Sequence, residues 1–179
     1  DEQNRIDMAA RVLLVEWENK KVLVDTGNGN KMNEKLRSIY KIDNSLFSLD
    51  KALSKRNLAP NDITDVILTH LHFDHAGGTT QFTGNDIVPV FPNAKCYVQK
   101  EQLAWARNAS EKDRASFMAE NYEPLVANGM IELLDGDGEV FPGISVHPIY
   151  GHTKAMQMIK ITDEGQSLLF PADLMPTHA

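Results

Sequence analysis

The feature that most constrains this chain is a crowding of imidazoles. Three of its six histidines fall within the run Thr69-His70-Leu71-His72-Phe73-Asp74-His75-Ala76-Gly77-Gly78. Three imidazoles and a carboxylate packed into one short stretch are costly inside a protein unless they are paired or ligated. Just upstream, residues 62–69 contain Ile63, Val66, Ile67 and Leu68, an apolar run bounded by turn residues. Such a run predicts a buried strand that delivers the chain into His70. Residues i and i+2 of a strand point to the same side, so His70 and His72 leaving its end can face one metal ion. Asp74 and His75 follow where the chain turns and can approach a second ion nearby. Imidazole with carboxylate suits zinc, and also iron, manganese or cobalt. Gly77-Gly78 marks a place of backbone freedom or close approach. The competing reading is a His-rich polar surface turn. The spacing HxHxDH, behind a β-rich run and before Gly-Gly, outweighs it.

Around this cluster the chain reads as mixed α/β layers. Residues 12–17 and 21–25 are β-rich and split by Glu18-Asn19-Lys20, a hairpin, and Thr26-Gly27 ends the second strand. Residues 31–40 are a helix candidate. Ser48 precedes a second, carrying Leu49, Leu53 and Leu58, which Pro60 ends. Residues 94–98 read as a strand, 100–107 and 111–120 as helices, and 130–134, 144–149, 156–162 and 167–170 as a closing run of strands punctuated by glycines and Pro142.

Composition narrows the classes. With 18 basic and 25 acidic residues the formal charge is −7, which argues against a general nucleic-acid-coating surface. No apolar run reaches the roughly 18 residues of a membrane-spanning helix. A single cysteine, Cys96, excludes an intramolecular disulfide framework and a Cys-built zinc site, and fits a reducing compartment. In its strand-like run Cys96 reads as a small buried hydrophobe rather than a nucleophile. The 179 residues make one domain, 1–179, with no internal boundary, repeat or linker. The chain opens at Asp1 without signal peptide or basic transit segment, so the cytoplasm is favoured, while a leader lost with a missing start stays compatible.

The histidine run resembles the metal-binding signature of the metallo-β-lactamase superfamily, and three further motifs agree with it in order. Val24-Asp25-Thr26-Gly27 resembles the family's strand-end Asp-Thr-Gly. Tyr150-Gly151-His152-Thr153 resembles the loop of its third histidine, and Phe170-Pro171-Ala172-Asp173 the strand and loop of its bridging aspartate. The resemblance implies an αββα sandwich: two mixed sheets face to face, helices outside, metals at one edge. It also implies that the sandwich is incomplete at the C-terminal end and at the N-terminal end, as in a portion of a longer folded protein. By the same resemblance His70, His72 and His152 hold metal one, Asp74 and His75 hold metal two, and Asp173 bridges them. Asp25 is implied to steady a ligand or the loop from behind, beside the plainer role of accepting backbone hydrogen bonds in its own turn. Two-metal relatives supply metal two with a further histidine well downstream of the bridging aspartate. Only six residues follow Asp173 here. His178 is therefore a candidate, with Phe73, for lining the pocket rather than for replacing that ligand. His147, in the strand 144–149, reads as structural.

Two ions held in this way bind a water and lower its pKa from about 15.7 to roughly 7. The resemblance thus implies a metal-dependent hydrolase in which a metal-activated hydroxide attacks the substrate and a metal stabilises the charge that develops on its oxygen. Asp74 is assigned the shuttling of the proton to the leaving group. His72 stands where flavodiiron relatives carry Glu, which favours hydrolysis over oxygen or nitric oxide reduction. The wording from His70 to Gly78, the long helical segment between Asp25 and His70 and a helical insert at 99–122 resemble the N-acyl-homoserine lactonase branch, with its arylesterases and organophosphate hydrolases. The expected substrate is a small-molecule lactone or ester. Phe73, Phe82, Trp105, Phe117, Met118 and Tyr122 are candidates for an apolar acyl pocket or simply for core packing. The alternatives are a glyoxalase-II-like thioesterase and a metal-poor binding domain. Lys154-Ala155-Met156-Gln157 stands where many relatives carry Gly-His, which leaves the subfamily open. The expected cofactors are two divalent metal ions, zinc foremost, with iron, manganese and cobalt compatible. No nucleic-acid or membrane partner is expected, and a homodimer is left open.

Overall fold

The structure, a computed structural model, describes residues 8–45 and 48–176. It opens with a hairpin of β1 (Leu13–Trp17) and β2 (Lys20–Val24). Two helices, α1 (Glu34–Tyr40) and α2 (Leu49–Lys55), lead to β3 (Asp65–Ile67), and α3 (Phe73–Ala76) is one turn just beyond it. A small hairpin, β4 (Thr80–Thr83) and β5 (Asp86–Pro89), precedes β6 (Lys95–Gln99), α4 (Lys100–Arg107), α5 (Glu123–Ala127) and β7 (Ile131–Leu134). The last elements are β8 (Gly138–Phe141), β9 (Ile144–Ile149), β10 (Met156–Asp163) and β11 (Gln166–Phe170).

Two sheets result. One has five strands in the order β1-β2-β3-β6-β7, and the other four, β11-β10-β9-β8. The pairs β2–β3, β3–β6 and β6–β7 are parallel, and the middle of the first sheet is covered on both faces, with apolar stretches at residues 22–24, 66–68 and 96–98. The period of two decides which core each residue joins. Val22, Val24 and Ile67 meet Ile144, Val146 and Ile159 of the second sheet. Leu23, Val66, Leu68, Cys96 and Val98 point the other way, onto Leu53 of α2, Leu103 of α4 and Leu125 of α5. The layers among the described residues are therefore helices, mixed sheet, antiparallel sheet, three of the four layers of the expected αββα plan. The buried apolar side chains of α2, α4 and α5 (Leu53, Leu103, Ala106 and Leu125) all join the first core. A polar seam joins the sheets near the end of β3. Gln157 of β10 donates from Nε2 to the Leu68 carbonyl at 2.8 Å and accepts from Gln99 Nε2 at 2.9 Å, while its backbone N–H reaches the Thr69 carbonyl at 2.9 Å. Cys96 is buried, and burial followed by the charge of Asp65 pushes its thiol up to about 12, which suits packing and not nucleophilic chemistry. Among the described residues no helix is long and apolar enough to cross a membrane.

Several elements differ from expectation for local reasons. The first helix starts at Glu34, because Asn33 caps it by accepting the Leu36 N–H at 2.9 Å. The second stops at Lys55 and not at Pro60: Asn57 adopts φ 57° and the Leu58 N–H returns to the Leu53 carbonyl at 3.0 Å. The helix expected over 111–120 is replaced by two 3₁₀ turns, Arg114–Ser116 and Ala119–Asn121. Backbone groups that a helix would use internally are engaged elsewhere. Phe117 bridges to the strand-like backbone of His72, Thr79 donates to the Asn121 carbonyl and Thr80 to the Glu120 carbonyl. The insert at 99–122 is accordingly helical only in α4.

The loop after β2 is zipped to the turn after β3. The Thr26 N–H donates to the His75 carbonyl at 2.7 Å and the Gly78 N–H to the Gly27 carbonyl at 3.1 Å. A Cβ at Gly78 would run into the Thr26 carbonyl oxygen, a rigid backbone atom. Gly78→Ala is expected to lose about 1–3 kcal/mol from overpacking, whereas Gly138→Ala, in open space, stays within about 0.5 kcal/mol; thermal melts of the two variants check this. The same turn is held by Lys31, whose buried ammonium donates to the carbonyls of Gly77 at 2.5 Å and Thr80 at 2.8 Å. Burial lowers its pKa from 10.5 to about 8, against the attraction of Glu120. The unfolded chain therefore binds more protons than the folded one from about pH 8 to about 10.5, and this group's contribution to stability rises with pH through that window. Subtracting the stability of Lys31→Met from that of the wild type by denaturant titration should give a difference that grows across this window. A flat difference would show that the lysine is not desolvated.

Candidate metal centre

Ligand sites of open α/β sheets lie beyond the carboxyl ends of the strands. Here the adjacent parallel strands β2 and β3 end together, β2 delivering Asp25 and β3 delivering Thr69 and His70. Asp25 is buried and sits at φ 61°, an uncommon conformation that Asp tolerates better than most residues, with its N–H bonded to the Ile67 carbonyl at 3.0 Å. Its carboxylate collects three donors. Oδ1 accepts the Thr69 N–H at 2.8 Å, and Oδ2 accepts the Thr69 hydroxyl and His75 Nδ1–H, each at 2.8 Å.

These bonds dictate proton positions. The Thr69 hydroxyl has given its proton to Asp25, so it can only accept from His70 Nδ1, 3.0 Å away. His70 and His75 thus both carry hydrogen on Nδ1. His70 Nε2 is buried with no hydrogen-bond partner among the described residues. A buried nitrogen lone pair left open in this way fits a cation, and a carboxylate behind a histidine is the usual means of orienting a metal ligand.

Two donor groups converge. Ligand atoms of His70, His72 and His152 lie within 4.8 Å of one another, and so do those of His70, His75 and Asp173. His72 Nδ1 is 3.0 Å from His152 Nε2. Asp173, in a 3₁₀ turn after β11, places Oδ1 3.1 Å from His75 Nε2 and Oδ2 3.4 Å from His152 Nε2, so one carboxylate touches both groups. Asp74 belongs to neither group. Its side chain is 39% exposed and its Oδ2 is 3.6 Å from His75 Nε2. Burial, then the neighbouring His75, His72 and His152, hold His70 well below its ordinary pKa. Burial followed by His152 lowers His72 to about 4. Both are neutral donors at neutral pH. Burial also opposes a charge on His75, but Asp25, Asp173 and Asp74 outweigh it and push its pKa up to about 11. Three imidazoles and a carboxylate of this kind form a donor set suited to zinc and its neighbours.

Other residues singled out by the sequence are more scattered. A cavity of about 280 Å³ opens beside His152 and is lined by Trp105, Ser110, Asp113, Tyr150 and Thr153. Of the apolar candidates for an acyl pocket only Trp105 lines it. Phe82 is 53% exposed on β4, Tyr122 is part of the first core, and Phe117 packs edge-on against the His72 ring at 4.7 Å. Phe73 is half-buried on α3 with its ring 4.7 Å from that of Tyr40. A second cavity of about 250 Å³, lined by Val12, Leu14, Leu49 and Leu53, contains no histidine. His147 is held by Asp137 at 2.8 Å and Ser145 at 3.1 Å, away from the cluster. His178 lies outside the described residues. Three residues at the site escaped the sequence reading: Thr69, Asp113, and Gln102, which ties α4 to the Lys154 carbonyl in the His152 loop at 2.5 Å.

A helix–sheet–sheet stack with a histidine–aspartate cluster at one edge fits the metallo-hydrolase architecture. The chain belongs to the Metallo-beta-lactamase superfamily, whose sequence profile matches residues 7–179. N-acyl homoserine lactonase AiiB of Rhizobium rhizogenes is 34% identical over 176 residues, 90% of this chain and 60% of that protein. An N-acyl homoserine lactonase of a Bacillus species is 27% identical over 172 residues, 89% of this chain and 60% of that one. The crystal structure of a probable metal-dependent hydrolase from Staphylococcus aureus superposes with a TM-score of 0.84 at 26% identity, covering 94% of this chain and 59% of that one. AidC, a dizinc quorum-quenching lactonase, superposes with a TM-score of 0.76 at 28% identity, covering 95% and 58%. The chain spans about 60% of the length of the curated relatives it matches.

Removing the Asp25 carboxylate leaves the Thr69 N–H and hydroxyl and His75 Nδ1–H without their buried acceptor and frees Thr69 to turn. Asp25→Ala is expected to lose at least about 1–3 kcal/mol of stability, the cost of buried donors left unsatisfied. Thr69→Val should lose less while still weakening zinc uptake. Denaturant unfolding of the metal-free proteins and zinc titrations check the two effects separately.

Proposed function

We propose that the protein is a metal-dependent hydrolase of a small-molecule lactone or ester, working as one metallo-β-lactamase-like domain with a dinuclear centre. The observation that carries this reading is Asp173, whose two oxygens face His75 and His152 at 3.1 and 3.4 Å and so join the two donor groups. In this reading His70, His72 and His152 hold one divalent ion, His75 and Asp74 hold the other, and Asp173 is shared. Zinc is the ion favoured by the imidazole-rich set, in keeping with the dizinc lactonase among the structural relatives. The ions, when bound, supply an activated water near neutral pH and a Lewis acid for the substrate oxygen.

The chain's own residues supply the rest. Asp25 keeps His75 and, through Thr69, His70 turned with Nε2 toward the centre. Asp74, whose side chain is 39% exposed, would serve in a second role beside that of ligand, carrying a proton to the leaving group. The cavity beside His152 offers room for a small acyl or alcohol portion, with the Trp105 ring as its apolar wall; Phe73, half-buried on α3 and outside that lining, is a further candidate. The lactone assignment leans on relatives named as N-acyl homoserine lactonases.

The test begins with elemental analysis of the protein as isolated, followed by hydrolysis of lactone, ester and thioester panels. About two zinc-like ions per chain and lactone turnover abolished by chelation are expected. His70→Ala and His152→Ala should abolish turnover with loss of metal, and Asp173→Ala should weaken both sites. Asp74→Ala should lower kcat by roughly 10²–10⁴-fold, the range of a lost general acid–base group. No metal uptake after reconstitution with zinc, iron or manganese would overturn the reading, and turnover confined to thioesters would replace its substrate class.

A further inference from the structure

His72 differs from the other two histidines of the run. His70 and His75 carry hydrogen on Nδ1, whereas His72 turns Nδ1 toward His152, at 3.0 Å. Its Nε2 is buried and has no hydrogen-bond partner among the described residues. For Nδ1 to offer a lone pair, Nε2 must hold the proton. None of the three bonds accepted by Asp25 comes from His72, so the carboxylate that orders its neighbours does not order it.

We infer that Asp113 is the positioning residue for His72: its carboxylate holds the His72 proton on Nε2 and so presents Nδ1 to the metal centre. Asp113 Oδ1 lies 3.6 Å from His72 Nε2. Hydrogen bonds of this kind extend to about 3.2 Å, so a small movement of ring or carboxylate closes the pair. The carboxylate is aimed by its other oxygen, which accepts the Trp105 indole N–H at 2.7 Å and the Thr153 hydroxyl at 3.0 Å. Two donors aimed at one oxygen mark the Asp113 carboxylate as an acceptor and leave Oδ1 turned to His72. Thr153 follows His152 in sequence. One carboxylate therefore sets the tautomer of His72 and ties down the loop that carries His152, with Trp105 of α4 as the fixed point. This inference rests on the metal-hydrolase reading above.

Asp113→Asn separates orientation from folding. The Asn carbonyl oxygen can still accept from Trp105 and Thr153, but its amide then faces His72 Nε2 and requires a lone pair there, which moves the proton to Nδ1. In the intact protein, zinc affinity is measured by competition with a chromophoric chelator, and imidazole tautomers by ¹⁵N NMR of histidine-labelled protein. Asp113→Asn is expected to melt like the wild type, to bind zinc about 10–100-fold more weakly, and to show His72 protonated at Nδ1. Asp113→Ala should lose affinity and also melt lower. Wild-type zinc affinity in a folded Asp113→Asn, or a wild-type His72 protonated at Nδ1, would overturn the inference while leaving the metal-hydrolase reading standing. The wild-type spectrum decides even where the variant fails to fold. A wild-type chain that takes up no zinc overturns both.

Discussion

The carboxylate of Asp25 is the interaction on which the site depends. It is buried at the end of one parallel strand and receives the backbone N–H and hydroxyl of Thr69, from the end of the next strand, and the ring of His75. Such a charge is tolerable in the interior only because every one of these donors is aimed at it. In return it imposes an order of protons running through Thr69 to His70 on one side and directly to His75 on the other. The parallel pairing of β2 and β3 brings these residues level, and the close approach of Gly78 to Thr26 lets the two loops lie against each other. Strand register, turn and ligand orientation are thus one arrangement.

The centre is shared between the two sheets. The histidine run comes from the edge of the mixed sheet, His152 from the connection between β9 and β10, and Asp173 from the turn beyond β11. The apolar core fixes the spacing of the layers, and three glutamines add directional bonds between the segments. Gln99 and Gln157 lock β6 and β10 to the end of β3, and Gln102 holds the His152 loop to α4. Buried amides of this sort have few satisfactory alternatives, so they set register where hydrophobic contact cannot.

Much of this was legible in the sequence. The β-rich run at residues 21–25 and the apolar run at 62–69 announce strands, the second a buried one, and the HxHxDH spacing that follows it points to the candidate centre. The ordered motifs ending at Asp173 predict which distant segments meet. What escaped was decided by tertiary competition. Residues 111–120 have helical composition, yet they break into 3₁₀ turns, and the carbonyls of Glu120 and Asn121 at their end are claimed by Thr80 and Thr79. Asp113 sits beside Glu111 and Lys112 in a run that looks like a solvated face, and nothing in its neighbours marks it as the one that turns toward His72. The short hairpin β4–β5 and the strand β8 carry too few apolar residues for their period to stand out. Asp25 was visible as a motif, but its bond through Thr69 to His70 depends on two strands lying side by side.

The polar seam at Gln157 has a further effect. His72 and His152 are 80 residues apart, and bringing such ends together costs chain entropy that grows as about (3/2)RT ln n. Gln157 anchors β10 to the carbonyls of Leu68 and Thr69, only a few residues from both histidines, so that cost is borne when the sheets dock and not when an ion arrives. The donors meet the ion as a chelate already closed, at the high effective concentration of an intramolecular partner. By mass action an ion held this way strengthens the docking of the sheets in turn.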